Sequence, residues 1–109
     1  MRSHRGGMSA LERRQRSRLA QLVSQEPLLR GNIVQSRRRC GNKNCRCQKG
    51  QLHVSQHLYV SLEGKRRSIH IPRDWEKKMA EWVKNYKEAR RLLEQLSLAQ
   101  LKRFQDRQE

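Results

Sequence analysis

The sequence predicts an α+β fold, and three observations predict it. Helical spacing of apolar residues appears near both ends of the chain, two segments in between alternate apolar with polar, and Gly and Pro fall at the junctions. A small hairpin-bearing module over residues 31–73 is therefore flanked by an N-terminal basic helix over 9–25 and a long C-terminal helix over 74–107. Residues 1–8, rich in Gly and Arg and without periodicity, read as a flexible basic arm, and 9–109 as a single small domain. With 109 residues, 34% of them hydrophobic and 5% aromatic, the chain has material for one core and little for a large shielded catalytic cavity.

The first helix is announced by Ser9 with Glu12 three residues on, a capping box, and it stops before Pro27. Leu11, Leu19, Leu22 and Val23 fall near one of its faces. The other face is cationic: Arg13, Arg14, Arg16 and Arg18 exceed what the single acid Glu12 can neutralise, which suits a helix lying on a phosphate backbone. Next, Leu28, Leu29, Ile33 and Val34 flank Gly31 and Asn32, a turn leading into a short strand that carries the chain to Arg37, Arg38 and Arg39.

Leu58-Tyr59-Val60-Ser61-Leu62 alternates with period two, and Arg67-Ser68-Ile69-His70-Ile71 does the same after Glu63-Gly64, the signature of a β-hairpin. A turn at residues 63 and 64 places Leu58 opposite Ile69, Val60 opposite Arg67 and Leu62 opposite Lys65. The other face then carries Tyr59 with Ser68, Ser61 with Arg66, and His57 beside His70. Pro72 ends the strand and Asp74 is positioned to cap a helix, for which residues 75–107 offer no Gly or Pro to interrupt it. Trp75, Met79, Trp82, Tyr86, Ala89, Leu93 and Leu96 follow each other at alternating steps of four and three, a heptad-like stripe for core or partner contact. A helix of this length outruns a small hairpin. Its far end, with Leu92, Leu96, Leu101 and Phe104, requires the N-terminal helix, a second copy or another protein as cover.

The charge is uneven. Of a formal +16, residues 1–73 contribute 17 basic groups against 3 acidic, and of those 17, 14 are Arg. Such self-repulsion opposes compaction unless a polyanion screens it, and the planar guanidinium favours phosphates and bases over a membrane surface. Arg13, Arg14, Arg16, Arg18, Arg37, Arg38, Arg39, Lys43, Arg46, Arg66 and Arg67 are the expected phosphate contacts, with Tyr59 as a stacking residue. No apolar run reaches the roughly 18 residues of a membrane span, and the N-terminus lacks an apolar signal core. The expected location is cytoplasmic, with nucleoid or ribonucleoprotein, where cysteines stay reduced.

Cys40-Gly41-Asn42-Lys43-Asn44-Cys45-Arg46-Cys47 holds every cysteine of the chain, and His53 follows shortly after. Three thiolates and one imidazole satisfy tetrahedral zinc, and the surrounding Gly and Asn residues supply the turns. Neighbouring cations favour the thiolate forms the metal needs. His53 is the first choice as fourth ligand and His57 its substitute. Copper(I) on the Cys-x-Cys pair and reversible thiol oxidation are the competing chemistries, while an iron–sulfur cluster ordinarily requires a fourth cysteine. The fold class is thus a small zinc-knuckle and β-hairpin module between two helices.

Arg38, Arg39, Cys40, Gly41, Asn44, Cys45, Arg46, Cys47, Gly50 and His53, then Tyr59, Gly64, Lys65, Pro72 and Tyr86, resemble a family of short uncharacterised prokaryotic proteins. In that family an Arg-rich segment runs into Cys-Gly-Lys, Asn-Cys-Arg-Cys, a glycine and a histidine, then a hairpin and a long helix. Its members usually follow the histidine with Gly-Pro-Tyr, where this chain has Val54-Ser55-Gln56-His57. The resemblance, over roughly residues 31–96, implies the architecture and an association with mobile elements, but no activity.

Three functions compete. The first is a non-enzymatic accessory protein that binds DNA or RNA through the cationic surface the metal organises. The second is a protein-interaction adaptor working through Trp75, Met79, Trp82, Tyr86, Leu93 and Leu96, with a partner or second copy and a structural zinc. An enzyme is the least favoured, because no acidic residue lies between Glu26 and Glu63 to serve a catalytic metal as base.

Overall fold

The computed structural model describes residues 8–38 and 53–107; Arg39, Cys40, Lys43, Cys45, Arg46 and Cys47 lie outside the described residues. The chain is α+β. Helix α1 (Ala10–Gln25) is followed by strands β1 (Asn32–Arg38), β2 (His53–Leu62) and β3 (Lys65–Ile71), a 3₁₀ turn (Arg73–Trp75) and helix α2 (Glu76–Asp106). The strands form one antiparallel sheet in the order β1-β2-β3.

The β2–β3 register is the expected one: Leu58 faces Ile69, Val60 faces Arg67, Leu62 faces Lys65, and His57 faces His70. The two-residue turn has positive φ at both Glu63 (54°) and Gly64 (73°), as a type I′ hairpin requires. The short strand expected before the cysteines is real and pairs with β2 along its whole length, from Asn32 opposite Tyr59 to Arg38 opposite His53. The hairpin is therefore the second half of a three-stranded meander.

Two compact units emerge, one made of the chain up to Leu28 with Lys84 onward, the other of Leu29–Val83. In the sheet unit, one face of the sheet and the start of α2 enclose Leu58, Val60, Ile71 and Val83, with Leu29, Ile33 and Met79 packed alongside. Gly31 lies so close to this core that a Cβ there would stand 2.9 Å from a methyl of Leu58 and 3.0 Å from one of Val60. Its role is close approach rather than a turn. Leu29 N–H donates to the Trp82 carbonyl at 3.1 Å, and the rings of Trp75 and Trp82 meet edge to face at 5.7 Å.

In the helical unit α1 and α2 run antiparallel. Leu22, with no exposed surface, packs with Ala89, Leu92 and Leu19. Polar pairs bracket this small apolar layer. Asn85 Nδ2 donates to the Pro27 carbonyl at 3.2 Å, Gln15 Nε2 donates to Gln95 Oε1 at 2.7 Å, and Arg103 pairs with Glu12 at the far end.

Four local expectations need correction. Ser9 does cap α1, accepting from Glu12 N–H at 3.0 Å, but the Glu12 carboxylate turns inward to Arg16 and Arg103. Leu11 and Val23 are 57% and 61% exposed, since the inner face of α1 runs through Glu12, Gln15, Leu19 and Leu22. Asp74 lies inside the 3₁₀ turn, whose N-cap Pro72 makes no side-chain cap, and α2 begins at Glu76. On α2 the buried positions are Val83, Asn85, Ala89 and Leu92, so Leu93 from the expected stripe is 55% exposed.

Candidate functional site

The sheet has two chemically different faces, because paired residues in an antiparallel ladder share a side and successive residues alternate. The face opposite the core carries Val34 and Ser36 from β1, Ser55, His57, Tyr59 and Ser61 from β2, and Arg66, Ser68 and His70 from β3. Tyr59 is 49% exposed at the middle of it. His57 and His70 meet edge to face with centroids 5.4 Å apart. Ser36 and Ser55 share a hydrogen bond at 3.1 Å, and Ser55 Oγ is in turn 3.2 Å from His57 Nε2, so the imidazole is steadied from two sides. No acidic residue lies on this face among the described residues.

Cations gather at the two ends of the sheet. Arg37 and Arg38 end β1 beside the start of β2, while Lys65, Arg66 and Arg67 begin β3 beside its end. Arg66 shares the face of Tyr59, whereas Arg37 and Arg67 pair with Val54 and Val60 on the opposite one. Of the nucleic-acid contacts read from the sequence, those described on the sheet are thus divided between its two sides.

The cations of α1 behave differently. Arg18 makes two hydrogen bonds to Glu88, at 3.0 and 3.1 Å, and Arg16 Nε reaches Glu12 at 3.3 Å. Arg103 holds the Glu12 carboxyl below its ordinary value, assisted by Arg16 against the opposing effect of desolvation, and Arg18 does the same for Glu88. Glu88 in return raises the pKa of Arg18. Arg13 donates to the Met8 carbonyl at 3.1 Å, and Arg14 is exposed. All three ion pairs among the described residues belong to the helical unit. Residues 29–73, by contrast, hold 11 basic groups and only one acid, Glu63.

Of the expected metal ligands, His53 stands opposite Arg38 in the β1–β2 ladder, and these two are the described positions that flank residues 39–52. His57 sits four residues further along β2, against His70. Among the described residues no three His, Cys, Asp or Glu side chains stand together as a metal site. Of the expected partner contacts, Trp75 is 39% exposed with the Lys78 ammonium 5.0 Å from its ring centre, Met79 packs on the sheet core, and Trp82, Tyr86 and Leu96 are half-buried.

Residues 8–81 match DUF6788, a domain of unknown function. The chain belongs to the DUF6788 family. The matched region takes in α1, all three strands and the first six residues of α2. No curated protein and no solved structure matches the chain. Among the described residues no helix is long and apolar enough to cross a membrane.

Sequence reasoning missed the pairing of Arg18 with Glu88, whose partners are 70 residues apart, and the Ser36–Ser55–His57 chain. Neither has a local signal. The first depends on helix docking, the second on β1 joining the sheet.

Proposed function

We propose that this DUF6788 protein is a non-enzymatic nucleic-acid-binding accessory protein, a subunit of a DNA- or RNA-processing assembly, with a structural zinc site in its sheet unit. The observation that carries the reading is the division of charge: the ion pairs found among the described residues lie in the helical unit, and the basic groups of residues 29–73 have a single acid among them. An unneutralised cationic sheet with an exposed tyrosine suits phosphates and bases. The grip therefore shifts from the α1 arginines toward Arg37, Arg38, Arg66 and Arg67, with Arg39, Lys43 and Arg46 contributing from the cysteine segment.

Cys40, Cys45, Cys47 and His53 would hold the zinc. The register supports His53 over His57, since His53 stands at the mouth of the segment, while His57 is about 13 Å further along the strand. Three thiolates and an imidazole close the coordination sphere, so the metal supplies cross-linking of the segment rather than an open catalytic position. The prokaryotic setting and the cysteine motif of the family the sequence resembles fit this reading, as does a cytoplasmic location with nucleoid or ribonucleoprotein.

The test is metal content and co-purifying nucleic acid from a native preparation, digested separately with DNase and RNase. One zinc per chain with nuclease-sensitive nucleic acid is the expected result. Metal-free, reversibly oxidised protein would favour thiol redox chemistry. Zinc protein that ignores nucleic acid at moderate salt and captures a protein through Trp82 and Leu93 would favour the adaptor reading. That second reading has its own support: Leu93, Leu98, Leu101 and Phe104 of α2 are 51–60% exposed.

A further inference from the structure

Beyond the charge, the sheet presents a surface whose composition selects the form of its ligand. We propose that the face bearing Tyr59 is a platform for single-stranded nucleic acid, on which unpaired bases stack against Tyr59 and the His57–His70 pair. This rests on the nucleic-acid reading above and specifies its ligand.

The first ground is shape. The major groove of a B-form duplex is about 12 Å wide and admits a helix or a two-stranded ribbon. Three strands span roughly 10 Å between outer strand axes before any side chain is added. Presented by its face, such a sheet meets a duplex only at the phosphates, which leaves its rings without a function. Splayed single-stranded bases, in contrast, lie flat on an open sheet.

The second ground is the chemistry of the face. Tyr59 and His57 follow each other on one side of β2, about 6.6 Å apart along the strand. That spacing suits bases held apart rather than stacked on one another at about 3.4 Å. His70 widens the ring surface across the sheet, 5.4 Å from His57. Ser55 and Ser68 are short, so they leave the rings proud of the backbone while offering hydroxyls to base edges. Arg66 is the phosphate contact on the same face, and no acid opposes it among the described residues.

The third ground is preorganisation. The hydrogen-bonded Ser36, Ser55 and His57 hold one imidazole in place before any ligand arrives, which lowers the ordering cost of binding. Single-stranded DNA and RNA share this stacking chemistry, and the probes separate them.

The experiment measures fluorescence anisotropy of the full chain with labelled thymidine and uridine oligomers of about 15 nucleotides and with a duplex of equal length, across a salt series. Both single strands, or one of them, should bind at least about tenfold tighter than the duplex. Tyr59→Ala should weaken single-strand binding by about fivefold to a hundredfold with the salt slope unchanged. Tyr59→Phe, which keeps the ring, should restore it. His57→Ala/His70→Ala should weaken it separately, and duplex affinity should not respond to any of these variants. A stronger response to thymidine or to uridine assigns the strand as DNA or RNA. Duplex preference, or single-strand affinity indifferent to Tyr59→Ala, overturns the platform while leaving salt-dependent nucleic-acid binding in place. Absence of binding to every probe overturns both readings.

Discussion

Three residues show how local physics fixes this molecule. Gly31 stands where a Cβ would press on Leu58 and Val60, so Gly31→Ala should cost about 1–3 kcal/mol in chemical denaturation through overpacking of the sheet core. Glu63 occupies a left-handed conformation that an L-residue adopts at a cost, and Asn tolerates it better. Glu63→Asn creates the favoured Asn-Gly turn and should raise stability by on the order of 0.5–1 kcal/mol. Glu12 is 3% exposed and satisfied by two guanidiniums. Because Glu12 and Glu88 are held below the ordinary Glu value of about 4.3, their stabilisation is complete above that value and is lost as pH falls through their lowered folded-state values. The melting temperature of Glu12→Gln/Glu88→Gln should therefore fall less on acidification below about pH 4.3 than that of the native chain, and parallel curves would contradict the assignment.

At the scale of elements, the α1–α2 pair is a thin apolar layer between polar ones. Leu22→Ala should cost about 2–5 kcal/mol, because Leu22 has no exposed surface, whereas Leu93→Ala should stay within about 0.5 kcal/mol. The same contrast explains what was legible in the sequence. The β2–β3 hairpin was fully legible, down to register, since strict alternation and a Glu-Gly turn leave one pairing that keeps the apolar face together. The existence of β1 was legible but its pairing was not, because Gln35-Ser36-Arg37-Arg38 carries no apolar alternation to set a face. The inner face of α1 was half legible: apolar spacing finds Leu19 and Leu22 but passes over Glu12 and Gln15, which are buried by partners from the other end of the chain. On α2, alternating steps of four and three select Leu93, whereas the position of α1 selects its neighbour Leu92.

The β1–β2 ladder ends where the proposed zinc segment begins. On the zinc reading, removal of the metal by a chelator should speed amide exchange in residues 33–37 while leaving residues 19–25 unchanged, because the ladder would lose the cross-link at the end where β1 and β2 meet residues 39–52. Equal exchange with and without chelator would argue against a structural metal.

For the whole molecule, the separation of charges carries the functional account. Total charge was legible and pointed to a polyanion. So was its uneven spread along the chain, but not its pairing, because Arg18 finds Glu88 and Glu12 finds Arg103 only once α1 and α2 are paired. The sheet's tyrosine and histidines could be read as one face from the hairpin alone, whereas the cations read as a single surface prove to be divided between both faces of the sheet and α1. The central claim is that the unneutralised cations of the sheet, rather than the paired ones of the helical unit, grip phosphate. The salt dependence of oligonucleotide binding tests it most directly, comparing Arg66→Gln/Arg67→Gln with the charge-balanced Arg18→Gln/Glu88→Gln. The account predicts that the sheet variant loses about 0.7 to 0.9 units of log–log slope for each phosphate contact removed, and that the helical variant matches the native protein. An unchanged slope in the sheet variant together with a reduced one in the helical variant would contradict it.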